Sequence, residues 1–596
     1  MDQLVGLRIQ YSMRPLILKR CGQVLATLLL APVAFSCGGN NSAGAEPDAL
    51  PKFVEMSQQV GFTIAQGQRI KEPNCLFDPK LIVAQFPKVT PPAVSKDVAR
   101  QCDPERSSGG AAAVDVNGDG LDDIVMTRIY NSPLLYINTS TKEKVSFTDA
   151  TKGSAFEKVT SSTNGVGYAD IDNDGDQDVV LTSLGGKQLY MFINDGTGKF
   201  TEEAVDRGVA MIDSRPHSGM GVSFGDYNND GWLDMHTNEW QPADVSAYAI
   251  PSHSRLFKNL GATGKPGVFV DVTKEAGVEL ESRVDLVYSF SSSFTDFDGD
   301  GNLDLMIASD FNTTRFYWNN GDGTFTNGTV DAELGKEENG MGLAVGFLGK
   351  PQKQVLMVTS IRAKADCDDA SDLILTGNRL FEYAGKRVFS DITDKTGVRN
   401  GFWGWGVSFL DSTNAAKKEI ASANGMDITW MPPSACYASD PFRFWVDNGN
   451  GVFTEKSIAA GIDINTPSKG VVVFDADNDG RQDMFVTRDA NKPLFLHNQT
   501  PSVGAWLGVK VQGTTSNRDG LGALISVTSI EGEEPQLAYV GTSGSFLTHD
   551  GRVTHFGLGN LTKSIYEVKV RFPASGKEQV LNDVKPQQVI DMVEPE

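Results

Sequence analysis

The sequence predicts an all-β fold in which a seven-bladed β-propeller is followed by a small C-terminal β domain. Three strand-like motifs recur along the 596 residues in a fixed order, and together they give each repeat four short strands. A four-stranded sheet that repeats around a ring is the blade of a propeller. The 62 glycines suit such a turn-rich architecture.

The first motif is an acidic loop, Asp-x-Asp/Asn-x-Asp-Gly-x-x-Asp, which occurs five times. An apolar, glycine-rich run precedes each copy, and β-forming residues such as IVMT, VVLT and MFVT follow most of them. This pattern indicates strand, tight loop, strand. The five copies are DVNGDGLDD from Asp115, DIDNDGDQD from Asp170, DYNNDGWLD from Asp226, DFDGDGNLD from Asp296 and DADNDGRQD from Asp475.

Two further segments, 340–358 and 404–423, keep the flanks of this motif without its acidic residues and raise the number of repeats to seven. They carry lysines instead, namely Lys350, Lys353, Lys417 and Lys418. A lysine could replace the missing ion through a direct ion pair. The simpler interpretation, which we favour, is a solvated loop.

The other two motifs supply the third and fourth strands of each repeat. The third-strand motif occurs as LLYIN, LYMFIND, LFKNL, FYWNN, LFEYA, FWVDN and LFLHN. The fourth-strand motif begins at Phe53, Phe147, Phe200, Phe269, Phe325, Phe389 and Phe453. Its first copy precedes every loop, whereas the last loop has no copy after it. We therefore expect the Phe53 strand to complete the last blade and close the ring, within a propeller spanning residues 53–501. A propeller of six or eight blades is the alternative.

The spacing of the acidic loops predicts calcium binding. Calcium prefers six to eight oxygen ligands, and positions 1, 3, 5 and 9 supply side-chain oxygens while position 7 supplies a carbonyl. Position 6 is always glycine, as a sharp turn around an ion requires. An EF-hand is excluded because position 12 is Met126 or Leu181 instead of glutamate. A polar turn could explain one copy but not five with the same spacing. We expect about five structural calcium ions, one for each loop.

The predicted ligands follow from this assignment. They are Asp115, Asn117, Asp119, Leu121 and Asp123; Asp170, Asp172, Asp174, Asp176 and Asp178; Asp226, Asn228, Asp230, Trp232 and Asp234; Asp296, Asp298, Asp300, Asn302 and Asp304; and Asp475, Asp477, Asp479, Arg481 and Asp483, with position 7 acting through its carbonyl.

The N-terminus predicts export and lipidation. A basic region and the apolar stretch 24–35 precede Ala34-Phe35-Ser36-Cys37, which resembles a bacterial lipobox. Residues 1–36 are thus the predicted signal peptide, Cys37 the lipidated residue and 37–52 a flexible tether, which predicts an outer-membrane or cell-surface lipoprotein. An ordinary cleaved signal is the alternative.

Four further cysteines, Cys75, Cys102, Cys367 and Cys436, predict two disulfides. Proximity favours 75–102 and 367–436 among three possible pairings.

The C-terminal region 502–596 carries the family resemblance. Its segments WLGV, SNRD, GTSGSFL, HFGLG and FPASG, together with the acidic loops, are similar to the cartilage acidic protein (ASPIC/UnbV) family with its FG-GAP or VCBS repeat propeller. Gly520 follows Asp519 where a small alanine is expected, a minor departure. The resemblance implies extracellular calcium binding and an interaction role, with no defined reaction.

The predicted function is a cell-surface module that binds an extracellular glycan or protein. A net charge of -23 repels phosphate backbones and argues against nucleic-acid binding. Second strands end at the face opposite the acidic loops, where we expect any ligand. The candidates there are Arg128, His217, Glu239, Tyr288, Trp403, Trp405 and Arg488, beside Ser183, Ser309, Ser360 and Asn424. Ordinary loop polarity would also explain these residues. An exported hydrolase or lyase is the alternative function, and an acid–base pair at Glu239 would favour it.

Overall fold

The computed structural model describes residues 50–67, 103–212, 216–240, 254–280, 288–364, 376–427, 436–449, 451–501, 503–541 and 545–596. The chain divides into Met1–Pro47 and Asp48–Glu596, and only the second unit contains described residues. The predicted signal peptide, Cys37 and most of the tether therefore lie outside the described residues and stay predictions.

Helices are few and short in the described residues. They are α1 (Ser57–Val60), α2 (Asp103–Arg106) and α3 (Thr393–Thr396), with 3-10 turns at Phe156–Lys158 and Gly261–Thr263. Within the described ranges no helix is long and apolar enough to cross a membrane.

Seven antiparallel sheets follow one another along the chain, and each is a blade. Blade 1 is β2 (Ala111–Val114), β3 (Asp123–Met126), β4 (Leu134–Asn138) and β5 (Phe147–Asp149). Blade 2 is β6 (Ser162–Ala169), β7 (Asp178–Leu184), β8 (Tyr190–Asn194) and β9 (Phe200–Glu202). Blade 3 is β10 (Gly219–Gly225), β11 (Asp234–Glu239), β12 (Arg255–Asn259) and β13 (Phe269–Asp271). Blade 4 is β14 (Tyr288–Thr295), β15 (Asp304–Asp310), β16 (Arg315–Asn319) and β17 (Phe325–Asn327).

The remaining blades have the same order. Blade 5 is β18 (Leu343–Leu348), β19 (Lys353–Val358), β20 (Arg379–Gly385) and β21 (Val388–Asp391). Blade 6 is β22 (Gly404–Leu410), β23 (Glu419–Asn424), β24 (Arg443–Asp447) and β25 (Phe453–Glu455). Blade 7 is β26 (Ser468–Phe474), β27 (Asp483–Arg488), β28 (Leu494–Asn498) and β1 (Phe53–Glu55).

The ring closes through both strands and packing. Phe53 lies opposite Asn498 and Glu55 opposite Leu496, so the most N-terminal strand is the outer strand of blade 7. The first strand of each blade contacts the first strand of the next, and β26 returns to β2. Phe474 and Phe485 of blade 7 share one core with Phe147 of blade 1. The predicted fold class is thereby confirmed.

The C-terminal region forms two further sheets. Its strands are β29 (Ala505–Gln512), β30 (Leu524–Thr528), β31 (Gln536–Tyr539), β32 (Thr548–His549), β33 (Thr554–Gly559), β34 (Ile565–Arg571), β35 (Glu578–Val584) and β36 (Gln588–Val593). One sheet has the order β33-β29-β36, with β29 and β36 parallel, and the other has the order β31-β30-β34-β35. Alternating apolar residues such as Ile525 and Val568 fill the core between them.

One segment of this domain enters the ring. β32 joins blade 1 as a fifth strand, with Thr548 and His549 parallel to Ala111 and Ala112. Phe546 and Leu547 lie buried in a cluster with aromatic and apolar residues from the first strands of several blades. We call residues 545–552 the stopper, because they occupy the space between those first strands. The sequence did not predict this insertion.

Candidate calcium sites and the opposite face of the ring

The five acidic loops share one backbone geometry. In each, the position-1 aspartate accepts a hydrogen bond from the position-6 glycine N–H, at 2.9 Å for Asp115 and Gly120. The same pair recurs in the loops that begin at Asp170, Asp226, Asp296 and Asp475, at 2.7 to 3.0 Å. The position-6 glycines have φ between 84° and 109°, which a side chain would disfavour. The loops therefore turn around a centre to which their carboxylates point.

Carboxylate oxygens converge in three of these loops as a cation site requires. Ligand atoms of Asp170, Asp172 and Asp174 lie within 4.8 Å of one another. The same holds for Asp296, Asp298 and Asp300, and for Asp475, Asp477 and Asp483. The Oδ1 atoms of Asp172 and Asp477 are buried without a hydrogen-bond donor in the described structure. Because a buried carboxylate oxygen without a partner is costly, a hard cation fits this donor set.

Burial makes the charged state of these carboxyls unfavourable without a cation. Burial, together with the nearby charge of Asp519, raises the pKa of Asp170 to about 8. Burial also raises the pKa of Asp226 to about 7 and the pKa values of Asp296 and Asp477 to about 6. A divalent cation would favour the ionised form of each group.

The position-9 aspartate joins the loop to the third strand. Asp123 accepts hydrogen bonds from the N–H of Val116, at position 2, and from the N–H of Asn138, at the end of β4. Asp178, Asp234, Asp304 and Asp483 make the equivalent two bonds in their own blades. Burial raises the pKa of Asp123 to about 7, against the lowering effect of both N–H groups.

An asparagine at the end of the third strand was missed by the sequence reasoning. Asn194 Nδ2 donates to the carbonyl of Gln177 in its own loop at 3.1 Å and to that of Val116 in the preceding loop at 2.8 Å. Asn138, Asn259, Asn319 and Asn498 bridge their blades in the same way. These five follow the five complete loops, whereas blades 5 and 6 have Tyr383 and Asp447 at this position. The signal was the asparagine of LLYIN and its counterparts.

Position 4 provides a second bridge between blades. Asn173, Asn229 and Asn478 have φ between 55° and 58°, and each donates through Nδ2 to the position-6 glycine carbonyl of the next loop. Blades 1 and 4 have Gly118 and Gly299 there, also with positive φ. Position 4 thus has left-handed geometry in all five loops, and the asparagine amide adds an inter-blade hydrogen bond in three of them.

Basic side chains approach three of the loops. Arg207 lies 3.2 Å from Asp172, Lys258 lies 3.6 Å from Asp230 and Arg387 lies 2.6 Å from Asp298. Each reaches a position-3 or position-5 carboxylate from outside the loop. These cations offset part of the negative charge and would compete with an ion for those oxygens.

The two loops without the acidic motif differ from each other. In blade 6, Asp411 and Glu419 stand at positions 1 and 9, and their charges oppose the lowering of the Lys418 pKa by burial. Lys418 therefore supplies positive charge between two carboxyls, which is the ion-replacement alternative. In blade 5, Lys350 and Lys353 are exposed, so that loop is solvated.

The C-terminal domain lies on the loops. Asp519 accepts hydrogen bonds from the N–H of Asp170 at 2.7 Å and from Gln177 Nε2 at 2.9 Å. Tyr539 donates its hydroxyl to the carbonyl of Asp296 at 2.8 Å. His555 Nε2 lies 2.7 Å from Asn414 Oδ1 of blade 6. The candidate calcium sites are therefore also the surface on which this domain packs.

The candidates on the opposite face fall into two groups. Arg128, Tyr288, Trp403 and Arg488 are half-buried, whereas His217, Glu239 and Trp405 are buried. Trp405 is 2% exposed because Phe546 of the stopper packs against it with ring centroids 4.9 Å apart. Trp405 thus lies in the interior of the ring and not on the exposed face opposite the loops, where we expected it.

His217 and Glu239 form an acid–base pair, with Nδ1 and Oε1 3.4 Å apart. The N–H of Ser218 also donates to Glu239 Oε1 at 2.6 Å, and His217 Nε2 lies 2.9 Å from the carbonyl of Met211. Both side chains are buried, and the cavity beside them has a volume of about 10 Å³. That is room for one water molecule at most.

Of the four cysteines, Cys436 alone lies in the described residues, so the disulfide pairing stays a prediction.

Comparison with known proteins agrees with this architecture. Residues 513–596 match the model for ASPIC and UnbV, and residues 115–181, 170–237 and 296–346 match the model for an FG-GAP-like repeat. The chain carries FG-GAP-like repeats and an ASPIC/UnbV region. These repeats are those of a β-propeller binding or adhesion-type module.

One curated relative and one solved structure add context. The chain is 24% identical over 396 residues to "Cartilage acidic protein 1" of Xenopus tropicalis, covering 62% of this chain and 56% of that protein. The chain thus spans little more than half the length of that relative. A structure described as recognition of non-reducing terminal N-acetylglucosamine by an Agrocybe aegerita lectin is 16% identical, covers 66% of this chain and 94% of that chain, and has a TM-score of 0.37. A likeness of that degree carries no argument about the ligand.

Proposed function

We propose that the chain is an extracellular calcium-binding propeller that acts as a binding or adhesion module for a glycan or protein. The observation that carries the proposal is the convergence of carboxylate oxygens in three of the loops, where the buried Oδ1 atoms of Asp172 and Asp477 lack donors among the described residues. Calcium would be held by the side chains at positions 1, 3, 5 and 9 and the carbonyl at position 7. It would supply the positive charge that these buried groups require.

Calcium titration of the purified chain tests the first part. Isothermal calorimetry on chelator-treated protein should detect about five sites, one for each complete loop. Asp172→Asn should weaken one site, because Asp172 contributes a buried oxygen without a donor. Asp195→Asn changes a fully exposed carboxylate in a hairpin turn of the same blade and serves as the control. A chelator-treated chain that binds no calcium would contradict the proposal.

The ligand is proposed to bind the face opposite the loops, because the C-terminal domain lies on the loop face. Aromatic side chains accumulate there. Phe311 is 43% exposed, and its ring packs edge-on against that of Tyr288 with the centroids 5.0 Å apart. Trp403 is half-buried and follows the half-buried Phe402 in the sequence. Exposed aromatic faces suit sugar rings and peptide side chains.

A glycan array probed with and without calcium tests this second part. Phe311→Ala should reduce the signal on any glycan that the native chain binds. Val330→Ala removes a side chain that is 84% exposed in the same blade and should leave the signal unchanged. Equal signals from both variants would move the ligand away from this face, and an array without signal would favour a protein partner.

The proposed location is the outside of the cell, by way of a lipid on Cys37. Export would also permit the two disulfides. Mass spectrometry of the mature chain tests both predictions, since acylation and each disulfide change the masses of defined peptides. An unmodified Cys37 would contradict the anchor.

The exported hydrolase or lyase remains the second candidate because the His217–Glu239 pair exists. The cavity beside the pair favours the binding module, since the described residues leave only about 10 Å³ there, too little for a substrate group. If the chain does hydrolyse or cleave a glycan, Glu239→Gln should abolish that activity. An unchanged rate would exclude this pair as its catalytic site.

A further inference from the structure

The stopper is held between the blades by specific contacts. Ser545 Oγ accepts a hydrogen bond from the N–H of Val407 in blade 6, at 2.9 Å. Thr548 Oγ1 donates to the carbonyl of Val471 in blade 7, at 3.0 Å, and its pairing with Ala111 adds blade 1. These contacts place a single short segment against strands that lie far apart in sequence.

Side-chain packing extends the same contacts to blades 3 and 4. The ring of Phe546 lies 5.5 Å from that of Phe290 in blade 4. His549 Nε2 lies 2.7 Å from the carbonyl of Val222 in blade 3, and since a carbonyl only accepts, this nitrogen carries the proton. The first strands also provide room: a Cβ atom on Gly470 would lie 2.2 Å from Thr548 Cγ2. The first strands thus form a site that fits residues 545–552, and we call this site the socket.

A short chain of polar contacts connects the stopper to the calcium loop of blade 2. Asp519 accepts the N–H of Asp170, the first residue of that loop, at 2.7 Å. The same carboxylate forms an ion pair with Arg552, the last residue of the stopper. Arg552 also lies over the ring of Tyr168 at 5.0 Å and hydrogen-bonds to Gln177, both in blade 2. Asp519 therefore contacts the candidate calcium site and the stopper at once.

The charges in this chain of contacts make its stability depend on the ion. Without calcium, the negative charge of Asp519 lies close to the carboxyl of Asp170, with no cation in the loop to offset it. With calcium in the loop, that charge would be offset and the backbone that donates to Asp519 would be held in place. The interface is also partly hollow, since a cavity of about 190 Å³ lies between the C-terminal domain and the ring, lined by groups that include Asp122 and Lys510. A cavity leaves fewer packing contacts across the interface, and regions with few contacts open locally at a lower free-energy cost.

We propose that calcium in the blade 2 loop controls whether the stopper stays in the socket between the blades. The inference rests on the proposed calcium binding and adds a consequence for the channel of the ring. In the calcium-loaded protein, the stopper closes the central channel of the ring, which is the space between the first strands of the blades. Removal of calcium releases the stopper and exposes the edge of β2 and the aromatic cluster around Trp405.

Hydrogen exchange of the full chain, with calcium and with a chelator, tests the proposal. Amides in 545–552 should exchange about tenfold faster or more in chelator, as expected for local opening. Amides of β19 in blade 5 are the internal control, because that blade has no acidic loop and should stay protected. Unchanged exchange in 545–552, or equal acceleration in β19, would overturn the proposal.

Calorimetry separates failure of this inference from failure of the calcium assignment. Coupling between two sites is reciprocal, so loosening the stopper must weaken calcium binding. Asp519→Asn removes the ion pair with Arg552, and should lower calcium affinity at one site by about fivefold or more. Asp583→Asn, which changes an exposed aspartate on β35 of the same domain, is the matched control.

Phe546→Ala provides a second variant that touches no charged group. It should also lower calcium affinity, although Phe546 lies in the interior of the ring. If the native chain binds calcium and both variants bind it equally well, the stopper inference is wrong and the calcium assignment stands. If the native chain binds no calcium, both fail.

Discussion

Asn478 donates a 3.0 Å hydrogen bond from Nδ2 to the carbonyl of Gly120, which lies 358 residues earlier in the chain. This contact joins the acidic loop of blade 7 to that of blade 1. It lies at the loop end of the ring, whereas the β1–β28 pairing closes the ring along the outer strand of blade 7. The propeller is thus closed both by a strand and by a link between two candidate calcium sites.

Replacing Asn478 by glycine tests the value of this link. Glycine keeps the left-handed backbone, as Gly118 does at the same position of blade 1, so the variant loses only the amide. We expect a loss of about 1 kcal/mol in the free energy of unfolding. Denaturant titration of the calcium-loaded chain measures it. Unchanged stability would mean that the strand alone closes the ring.

The third-strand asparagines should matter more than the position-4 asparagines. Asn259→Ala would leave the buried carbonyls of Ile171 and Leu233 without a donor, so we expect a loss of about 2 to 4 kcal/mol. Asn465→Ala, at an exposed site, should change stability by no more than about 0.5 kcal/mol. Thermal unfolding of both variants measures the difference, and similar melting temperatures would contradict the bridging role.

Calcium affinity should decrease as the pH is lowered. Raised pKa values, about 8 for Asp170 and about 7 for Asp226, mean that these carboxyls hold protons in the calcium-free fold below those pH values. Calcium must displace the protons, so affinity decreases as pH drops from 8 to 6 and binding releases protons. Calorimetry in two buffers of different ionisation enthalpy measures that release. Affinity independent of pH across this range would disprove the prediction.

Lys418 should stabilise blade 6 in place of an ion. In Lys418→Met, the carboxyls of Asp411 and Glu419 lose the positive charge that lowers the pKa of each, and we expect the free energy of unfolding to fall by about 1 to 2 kcal/mol at neutral pH. The matched control is Lys350→Met in blade 5, where the lysine is exposed and the melting temperature should stay the same. Equal effects of the two changes would mean that blade 6 has a solvated loop as well.

The repeat pattern predicted the ring well because it is local and recurs. The sequence alone shows the spacing of the loops, the glycine at position 6 and the place of the Phe53 motif before the first loop. Lys418 was assigned to a solvated loop because nothing local shows that Asp411 and Glu419 face it. The role of the third-strand asparagines was also missed, since their acceptors lie in the preceding blade.

The position of the C-terminal domain could not be read from the sequence for a similar reason. Asp519 was noted as part of a family motif, but its contacts to Asp170 and Arg552 depend on how two domains pack. Trp405 was expected on the exposed face opposite the loops because its segment enters the first strand of blade 6. Phe546, which covers it, is 141 positions away, and no periodicity connects the two.

Thermal unfolding combined with calcium analysis of the purified chain tests whether calcium holds the acidic loops together. We predict about five bound calcium ions, one for each complete acidic loop, and a melting temperature that falls by many degrees in excess chelator. A chain that contains no calcium and melts at the same temperature with and without chelator would show that calcium does not stabilise the propeller.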